Sequence, residues 1–453
     1  MRAIPLAFVV ALAGCNMAPK YERPAIELPA AYQDTAAKAG EIAVPLDWWT
    51  LYRDPLLDEL VREGLAKNAD VRAAVARVEE AEAVLREANA TLFFPLVTLN
   101  ASASRVRALD SGVKTTYGLG VATSFEIDLW GRLRNAEDAT RAQLLASSYS
   151  RDTVAISLAA AIARAYFATR SLDSQLAASQ EILAAASAGE ALAKKRLDAG
   201  VASALDVYQA GALRSAASAQ AKEIARQRAV VAHQLGTLVG RSGLALPAGE
   251  VTALPIVPAP PAGLPSQLLE RRPDVRAAEA QLIAATHRIG VARAQQFPTL
   301  TLTGSPGTES SDLGALVTPS GRVWSWGASL LGPVIDGGRY RARTEQAEAQ
   351  ARQAEAAYQR AVETAYREVA DGLSNLRGAA ETEVDLKQRV EAARHAVRLA
   401  QSRYDRGYSA YLEVLDAQRT LNEALLAFIR NRQAYLSYSV DLMNALGGGW
   451  PAA

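Results

Sequence analysis

YGLGVATSFEIDLWGRLR, residues Tyr117–Arg134, changes rhythm partway along. Up to Leu129 it alternates. Tyr117, Leu119, Val121, Phe125, Ile127 and Leu129 fall on one side, and Gly118, Gly120, Ser124, Glu126 and Asp128 on the other. A period of two marks a strand with one apolar and one polar face. After Gly131-Arg132 the alternation stops. From Gly131 to Arg196 the chain runs 65 positions with no proline and one internal glycine, Gly189. At 1.5 Å per residue a helix of that span is roughly 100 Å long, several times the ordinary globular helix.

The pattern occurs twice. ADVRAAVARVEEAEAVLREANATLFFP (Ala69–Pro95) matches PDVRAAEAQLIAATHRIGVARAQQFP (Pro273–Pro298). RLDAGVASALDV (Arg196–Val207) matches RYDRGYSAYLEV (Arg403–Val414) at an offset of 207, and Gly131-Arg132 matches Gly338-Arg339 at the same offset. Such matches, in order, mark an internal duplication. Each half reads as a helix ending in Phe-Pro, two alternating segments, a long helix, a glycine turn and a return helix. In the first half Val97, Leu99, Ala101 and Ala103 alternate with Thr98, Asn100 and Ser102. In the second, Leu300 and Leu302 alternate with threonines, and Trp324, Trp326, Ala328 and Leu330 with Ser325, Gly327 and Ser329. The second long helix spans Gly338 to Arg403, with Gly372 and Gly378 inside. AIARAYFA and AVETAYREVA match at an offset of 200, a seven-residue slip that keeps the same helix face.

The expected division is therefore a leader at 1–14, an N-terminal segment with a short helix at 15–68, and a first repeat at 69–246 with strands at 96–106 and 116–129. A proline-rich linker follows at 247–265, with six prolines in nineteen residues. The second repeat covers 266–450 with strands at 299–305 and 323–331, and a tail covers 451–453. The triple glycine Gly447–Gly449 ends the last helix, as glycine after a final turn should.

Composition narrows the function. Lys plus Arg is 49 against 48 Asp plus Glu, so no basic surplus points to nucleic acid. One cysteine and three separated histidines (His233, His287, His395) leave no zinc-type spacing. GxSxG, Walker and HExxH motifs are absent, so the expectation is a chain that is not an enzyme and has no metal site. No apolar run approaches the ~20 residues of a spanning helix. A membrane crossing, if made, uses strands. Four strands per chain cannot close a barrel, which needs at least ~8. Either the strands form a water-soluble sheet in a coiled-coil scaffold, or two or three chains share one barrel.

DWWTLYRDPLLDELVREGLAKN carries Trp48, Asp54, Pro55, Leu57, Leu60 and Asn68. With FEIDLWGRLR (Phe125–Arg134), LPSQLLERRPDVRAAEAQL (Leu264–Leu282), RYDRGYSAYLEVLDAQRTL (Arg403–Leu421) and the terminal ALGGGW, it resembles the TolC-like outer-membrane factors of the NodT/OprM lipoprotein type. The resemblance covers essentially the whole mature chain. It implies a mainly α fold with a small membrane β part, built as a homotrimer. A 12-stranded β-barrel, four strands from each chain, is continued by a long periplasmic α-helical barrel. It further implies an exit duct for a tripartite efflux system, working with a periplasmic adaptor and an inner-membrane pump of the RND type.

The same resemblance assigns the turns. Glu413 and Asp416 stand three apart on one helical face, and threefold symmetry would stack them as two carboxylate rings at an acidic constriction. Leu412 matches an apolar gate position, and Asp206 is the repeat-one counterpart of Glu413. In relatives the tyrosine and the aspartate at the positions of Tyr404 and Asp206 form a hydrogen bond between neighbouring helix pairs that holds the entrance shut. Ser409 stands where some relatives carry an arginine latch. The turns Gly200, Val201, Ala202, Ser203 and Gly407, Tyr408, Ser409, Ala410 would meet the adaptor's helical hairpin. At the N-terminus, Arg2, the apolar run Ile4–Ala11 and Leu12-Ala13-Gly14-Cys15 resemble a lipoprotein leader and cleavage box. The expectation is an N-acyl and diacylglycerol lipid on Cys15, no other cofactor, and a place in the Gram-negative outer membrane among its lipids; Asn16 at the next position is compatible with that membrane.

Overall fold

A computed structural model describes residues 16–29, 32, 45–108, 112–255 and 268–448. The leader 1–14, Cys15, the second half of the linker and the tail 451–453 lie outside the described residues. The helices are α1 (Pro55–Lys67), α2 (Ala69–Phe93), α3 (Arg132–Asp198), α4 (Ala204–Val239), α5 (Pro273–Ala294), α6 (Arg339–Asp405) and α7 (Tyr411–Ala445). The strands are β1 (Leu96–Ala108), β2 (Gly112–Ile127), β3 (Thr299–Ser310) and β4 (Arg322–Leu331). The chain forms two compact units, and each takes parts of both sequence repeats. One combines the residues before 27 with 75–150 and 276–361; the other combines 27–74 and 151–275 with the stretch from 362 onward.

The first unit holds one antiparallel sheet in the order β1-β2-β3-β4. Directly opposed residues share a face. Val97, Leu99, Ala101 and Ala103 oppose Thr123, Val121, Leu119 and Tyr117. Phe125 and Ile127 oppose Leu302 and Leu300, which in turn oppose Ala328 and Leu330. One face is therefore apolar across all four strands. The other carries Asn100, Ser102, Thr301, Thr303, Ser305 and Ser325, and the last two hydroxyls lie 2.7 Å apart.

Five strand boundaries differ from the sequence expectation; β2 begins at Gly112 rather than 116, where it stays paired with the end of β1, and β4 begins at Arg322 rather than 323. β2 stops at Ile127 rather than 129, because Asp128 turns to accept from the backbone N–H of Leu133 (3.2 Å) and Arg134 (2.9 Å) at the start of α3. Glu126 adds a two-pronged pair with Arg132, at 2.9 and 2.6 Å. β3 runs past the expected 305 through Pro306 to Ser310. Pro306 has no N–H, and the β2–β3 ladder breaks there: Gly120 opposes Gly307 and Thr123 opposes Gly304, with no pairing between. β1 extends past 106 to Ala108 because its outer residues remain paired with β2. The repeat-two junction copies the first. Asp336 accepts from Tyr340 N (2.9 Å) and Gly338 N (3.1 Å), and these N–H groups hold its carboxyl below the usual carboxylate range. Trp130 stacks on Phe297 at 4.7 Å and donates from Nε1 to Pro298 O at 2.7 Å.

The second unit has the larger core. Trp48, Tyr52, Leu57, Leu60, Ile162, Tyr166, Phe167, Leu235, Leu436 and Met443 are all fully buried. The residues of the DWWTLY motif thus act through packing and capping. Asp54 caps α1 through Leu56 N (3.0 Å) and Leu57 N (3.3 Å), and also accepts from Tyr166. Asn68 caps α2 through Asp70 N (2.8 Å) and donates to Leu238 O (2.9 Å). Ser439 donates to Leu436 O, so Tyr52 donates its own hydroxyl proton to Ser439 across 2.6 Å.

The proline-rich linker is not a loose spacer in its described part. Arg228 donates to Leu246 O (3.1 Å), Arg170 to Pro247 O (2.7 Å), Gly249 N to Asp173 (3.2 Å) and Val251 N to Ser174 (3.0 Å). Proline sets the extended backbone, and side chains of α3 and α4 supply the partners that its carbonyls and N–H groups need. No described helix is long and apolar enough to cross a membrane.

Candidate functional site

The two glycine turns close the helix pairs α3–α4 and α6–α7, and they are built alike. Gly200 (φ 73°) and Gly407 (φ 78°) sit in the left-handed region that favours glycine. At the first, Gly200 N donates to Leu197 O and Val201 N to Arg196 O, both at 2.9 Å; at the second, Gly407 N donates to Tyr404 O (3.0 Å) and Tyr408 N to Arg403 O (2.9 Å). These paired bonds satisfy the last carbonyls of α3 and α6.

The helices that leave the turns start differently. Ser203 caps α4, and its hydroxyl oxygen accepts from Asp206 N (3.3 Å). The Asp206 carboxylate accepts in return from Ser203 N (3.0 Å) and Oγ (3.1 Å). This reciprocal box occupies the Asp206 oxygen that faces the turn. In repeat two the cap position is Ala410, which has no side-chain acceptor. Glu413, the counterpart of Asp206, is left out of capping. It lies exposed with Arg403 Nε 3.6 Å from its carboxylate. Asp416, one turn on, is exposed and pairs with Arg419 at 2.8 Å. Leu412 beside them is also exposed.

Between the two helix pairs lies a small core of Ala193, Ala210, Tyr404, Tyr411 and Val414. The tyrosine rings are 5.0 Å apart. Gly189 explains how Tyr411 enters: a Cβ there would sit 2.4 Å from the Tyr411 hydroxyl. The one glycine of the first long helix therefore marks a close approach. Burial pushes the Tyr411 phenol upward, with Tyr404 adding to it. The hydroxyls of Tyr404, Tyr411 and Ser409 are buried and have no hydrogen-bond partner among the described residues.

Arg196 ties the pairs together. Its guanidinium stacks over the Tyr404 ring at 4.3 Å, reaches Tyr404 O at 3.4 Å, and lies 3.8 Å from Asp405 Oδ1. Within the chain, then, Tyr404 is joined to repeat one through Arg196, and Asp206 is engaged with Ser203. Around the turns Val201, Leu205, Tyr208, Tyr408 and Leu412 expose apolar surface. Gly200, Ala202, Ser203, Gly407, Ser409 and Ala410 keep the backbone between them narrow.

Sequence reading had singled out the acids and the small residues but not Arg196, Arg403 and Arg419. A signal was present, since Arg196 and Arg403 occupy the same position of the repeat. Among the described residues no cluster of three or more His, Cys, Asp or Glu could hold a metal ion. Cys15, the expected lipid site, lies outside the described residues.

Comparison with known proteins gives concordant matches. A family model described as outer membrane efflux protein matches residues 60–241 and 264–448. The solvent efflux pump outer membrane protein SrpC of Pseudomonas putida is 34% identical over 464 residues, covering 99% of this chain and 98% of the relative. The cation efflux system protein CusC of Escherichia coli is 32% identical over 459 residues, covering 99% of each. The crystal structure of the open state of the Neisseria gonorrhoeae MtrE outer membrane channel superposes with a TM-score of 0.88 at 32% identity, covering 96% of this chain and 98% of the other.

Proposed function

The chain belongs to the outer membrane efflux protein family and works in the outer membrane; from that premise we propose that it is the exit duct of a tripartite efflux system. The relatives are efflux channel proteins rather than enzymes. In this reading three copies close one 12-stranded barrel and continue it as a periplasmic α-helical tunnel, with a periplasmic adaptor and an RND-type inner-membrane pump upstream.

The observation that carries the reading is the sheet. It has four strands, an apolar face across all of them, and two outer strands, β1 and β4, each paired on one side among the described residues. Open strand edges do not persist in hydrocarbon, so copies must close the sheet. Three copies of four strands give twelve, within the range of known outer-membrane barrels. The polar face, rich in serine and threonine, then lines water. The test is reconstitution in planar bilayers with size measurement in detergent. The reading expects a trimer with discrete conductance steps. A monomer that makes no conductance would instead favour the soluble scaffold.

The turn cluster is the gate in this proposal. Threefold symmetry would bring Glu413, Asp416 and Leu412 of three chains together, with Asp206 and Tyr404 behind them. The exposed turns from Gly200 to Ser203 and from Gly407 to Ala410 would receive the adaptor. Converging carboxylates favour cations in the opening, and the paired Arg403 and Arg419 temper that field. Glu413→Gln with Asp416→Asn should lower the cation-over-anion permeability ratio severalfold, and Arg419→Gln should raise it. Reversal potentials in a salt gradient measure both; an unchanged ratio in the double variant removes the acidic ring.

Lipidation of Cys15 belongs to the same proposal. One acyl chain binds a membrane marginally and several hold firmly, so the anchor assists placement while the barrel spans. Labelled palmitate should be incorporated by the natural chain and absent from Cys15→Ser; label persisting in the variant would refute the assignment.

A further inference from the structure

Arginines interrupt the apolar face of the sheet at one end. On β1 the apolar set Val97, Leu99, Ala101 and Ala103 continues on the same face into Arg105 and Arg107, which oppose Thr115 and Val113. On β4 the set Leu330, Ala328, Trp326 and Trp324 continues into Arg322, which opposes Thr308. All three arginines are exposed, and none has an ion-pair or hydrogen-bond partner among the described residues. That face carries no aspartate or glutamate on any of the four strands; Glu126, Glu309 and Lys114 all lie on the opposite, polar face.

The arginines share a height. Arg105 stands nine positions from Leu96, where β1 leaves the helical side, and Arg322 stands nine from Leu331, where β4 returns to it. At ~3.4 Å per residue and a strand tilt of ~40°, nine residues rise about 23 Å, close to the ~25 Å apolar band of an outer-membrane barrel. Arg107 reaches about 5 Å farther. Trp324, Trp326 and Tyr117 lie just inside this level on the same face, as an interfacial aromatic girdle does. An unpaired guanidinium inside hydrocarbon is costly. At the outer rim it meets headgroups.

Resting on the barrel reading above, we propose that Arg105, Arg107 and Arg322 form a lipid-facing site at the outer rim. It takes the phosphates of a phosphorylated glycolipid of the outer leaflet. β1 and β4 are the two outer strands of the sheet. Closing the barrel therefore sets Arg322 of one copy beside Arg105 and Arg107 of the next, and gives three such clusters per trimer. Guanidinium suits the task because its planar fork meets phosphate oxygens in pairs. The absence of acids on that face leaves the charge for an external anion.

Diphosphorylated lipid A, its dephosphorylated form and phosphatidylethanolamine are the probes, with retention on the detergent-solubilised trimer read by native mass spectrometry. Wild-type trimer should retain diphosphorylated lipid A over both others. Arg105→Gln with Arg107→Gln and Arg322→Gln should weaken that retention about a hundredfold, from roughly fivefold for each guanidinium lost. The triple lysine variant should keep an intermediate affinity. Bilayer conductance should be the same in all three proteins. Equal retention by the triple glutamine variant, or equal retention of the dephosphorylated lipid by wild type, overturns the proposal while leaving the barrel intact. A wild-type protein without conductance overturns the barrel reading, and this site falls with it.

Discussion

Asp173→Ala is expected to destabilise the protein by about 3–5 kcal/mol, the cost of removing one partner from a buried charge cluster. The Asp173 carboxylate is 4% exposed and sits between two arginines. Arg228 donates to it from Nε, and Arg170 lies 3.6 Å away with its own side chain 9% exposed. Gly249 N donates to the second oxygen at 3.2 Å. Alanine leaves the buried Arg170 guanidinium and the partly exposed Arg228 guanidinium without their shared anion. It also frees the linker backbone at Gly249 from α3. The result should be a lower unfolding temperature, read by circular dichroism at 222 nm, and faster proteolysis between residues 247 and 265. Asp173→Asn retains the shape and an acceptor oxygen and should cost less. A variant as stable as wild type would mean that Arg170 is held well enough by Tyr166 Oη (2.9 Å) and Pro247 O (2.7 Å) alone.

This cluster shows where sequence reading stops. Proline spacing marked residues 247–265 as extended, because proline restricts the backbone locally. The partners that pin Leu246, Pro247, Gly249 and Val251 come from Arg170, Asp173, Ser174 and Arg228, up to 77 positions away in the chain. No local pattern encodes such pairings. The strand faces and the long helices were legible for the opposite reason: a period of two, and runs of 65 positions without proline, are signals carried by the local sequence itself. The alternation of leucine with threonine covers only the start of β3, and the structure carries the strand on through Pro306 with a local break in the ladder. At the turns, glycine and the duplicated RxDxG stretch located the site. Ser203 against Ala410 was legible as residues, but not the consequence that one acid is held by capping and the other released. Cargo is a further limit of the fold: relatives named for solvent and for cation efflux match this chain at 34% and 32% identity.

If the turns form the closed gate, Arg196→Ala should raise the resting open fraction by about 5–30-fold, which corresponds to ~1–2 kcal/mol lost in all from the closed state. A cation over an aromatic ring contributes ~0.5–1 kcal/mol at an exposed site and more when desolvated. The Arg196 side chain is 25% exposed and covers the buried Tyr404 ring at 4.3 Å. Its contact with Asp405 at 3.8 Å is half-open to water and adds little. Arg196 therefore acts mainly by stacking, and it joins the repeat-one and repeat-two helix pairs directly. Tyr404→Phe separates the contributions. It keeps the ring and the Arg196 stack and removes a buried hydroxyl that has no partner among the described residues. A larger rise in resting conductance for Arg196→Ala than for Tyr404→Phe, with trimer stability unchanged in both, is the expected outcome. Arg196→Lys should fall between wild type and alanine, since an ammonium keeps the charge but stacks less well. Resting conductance identical to wild type in Arg196→Ala would sink this role and leave the closed state to contacts between copies.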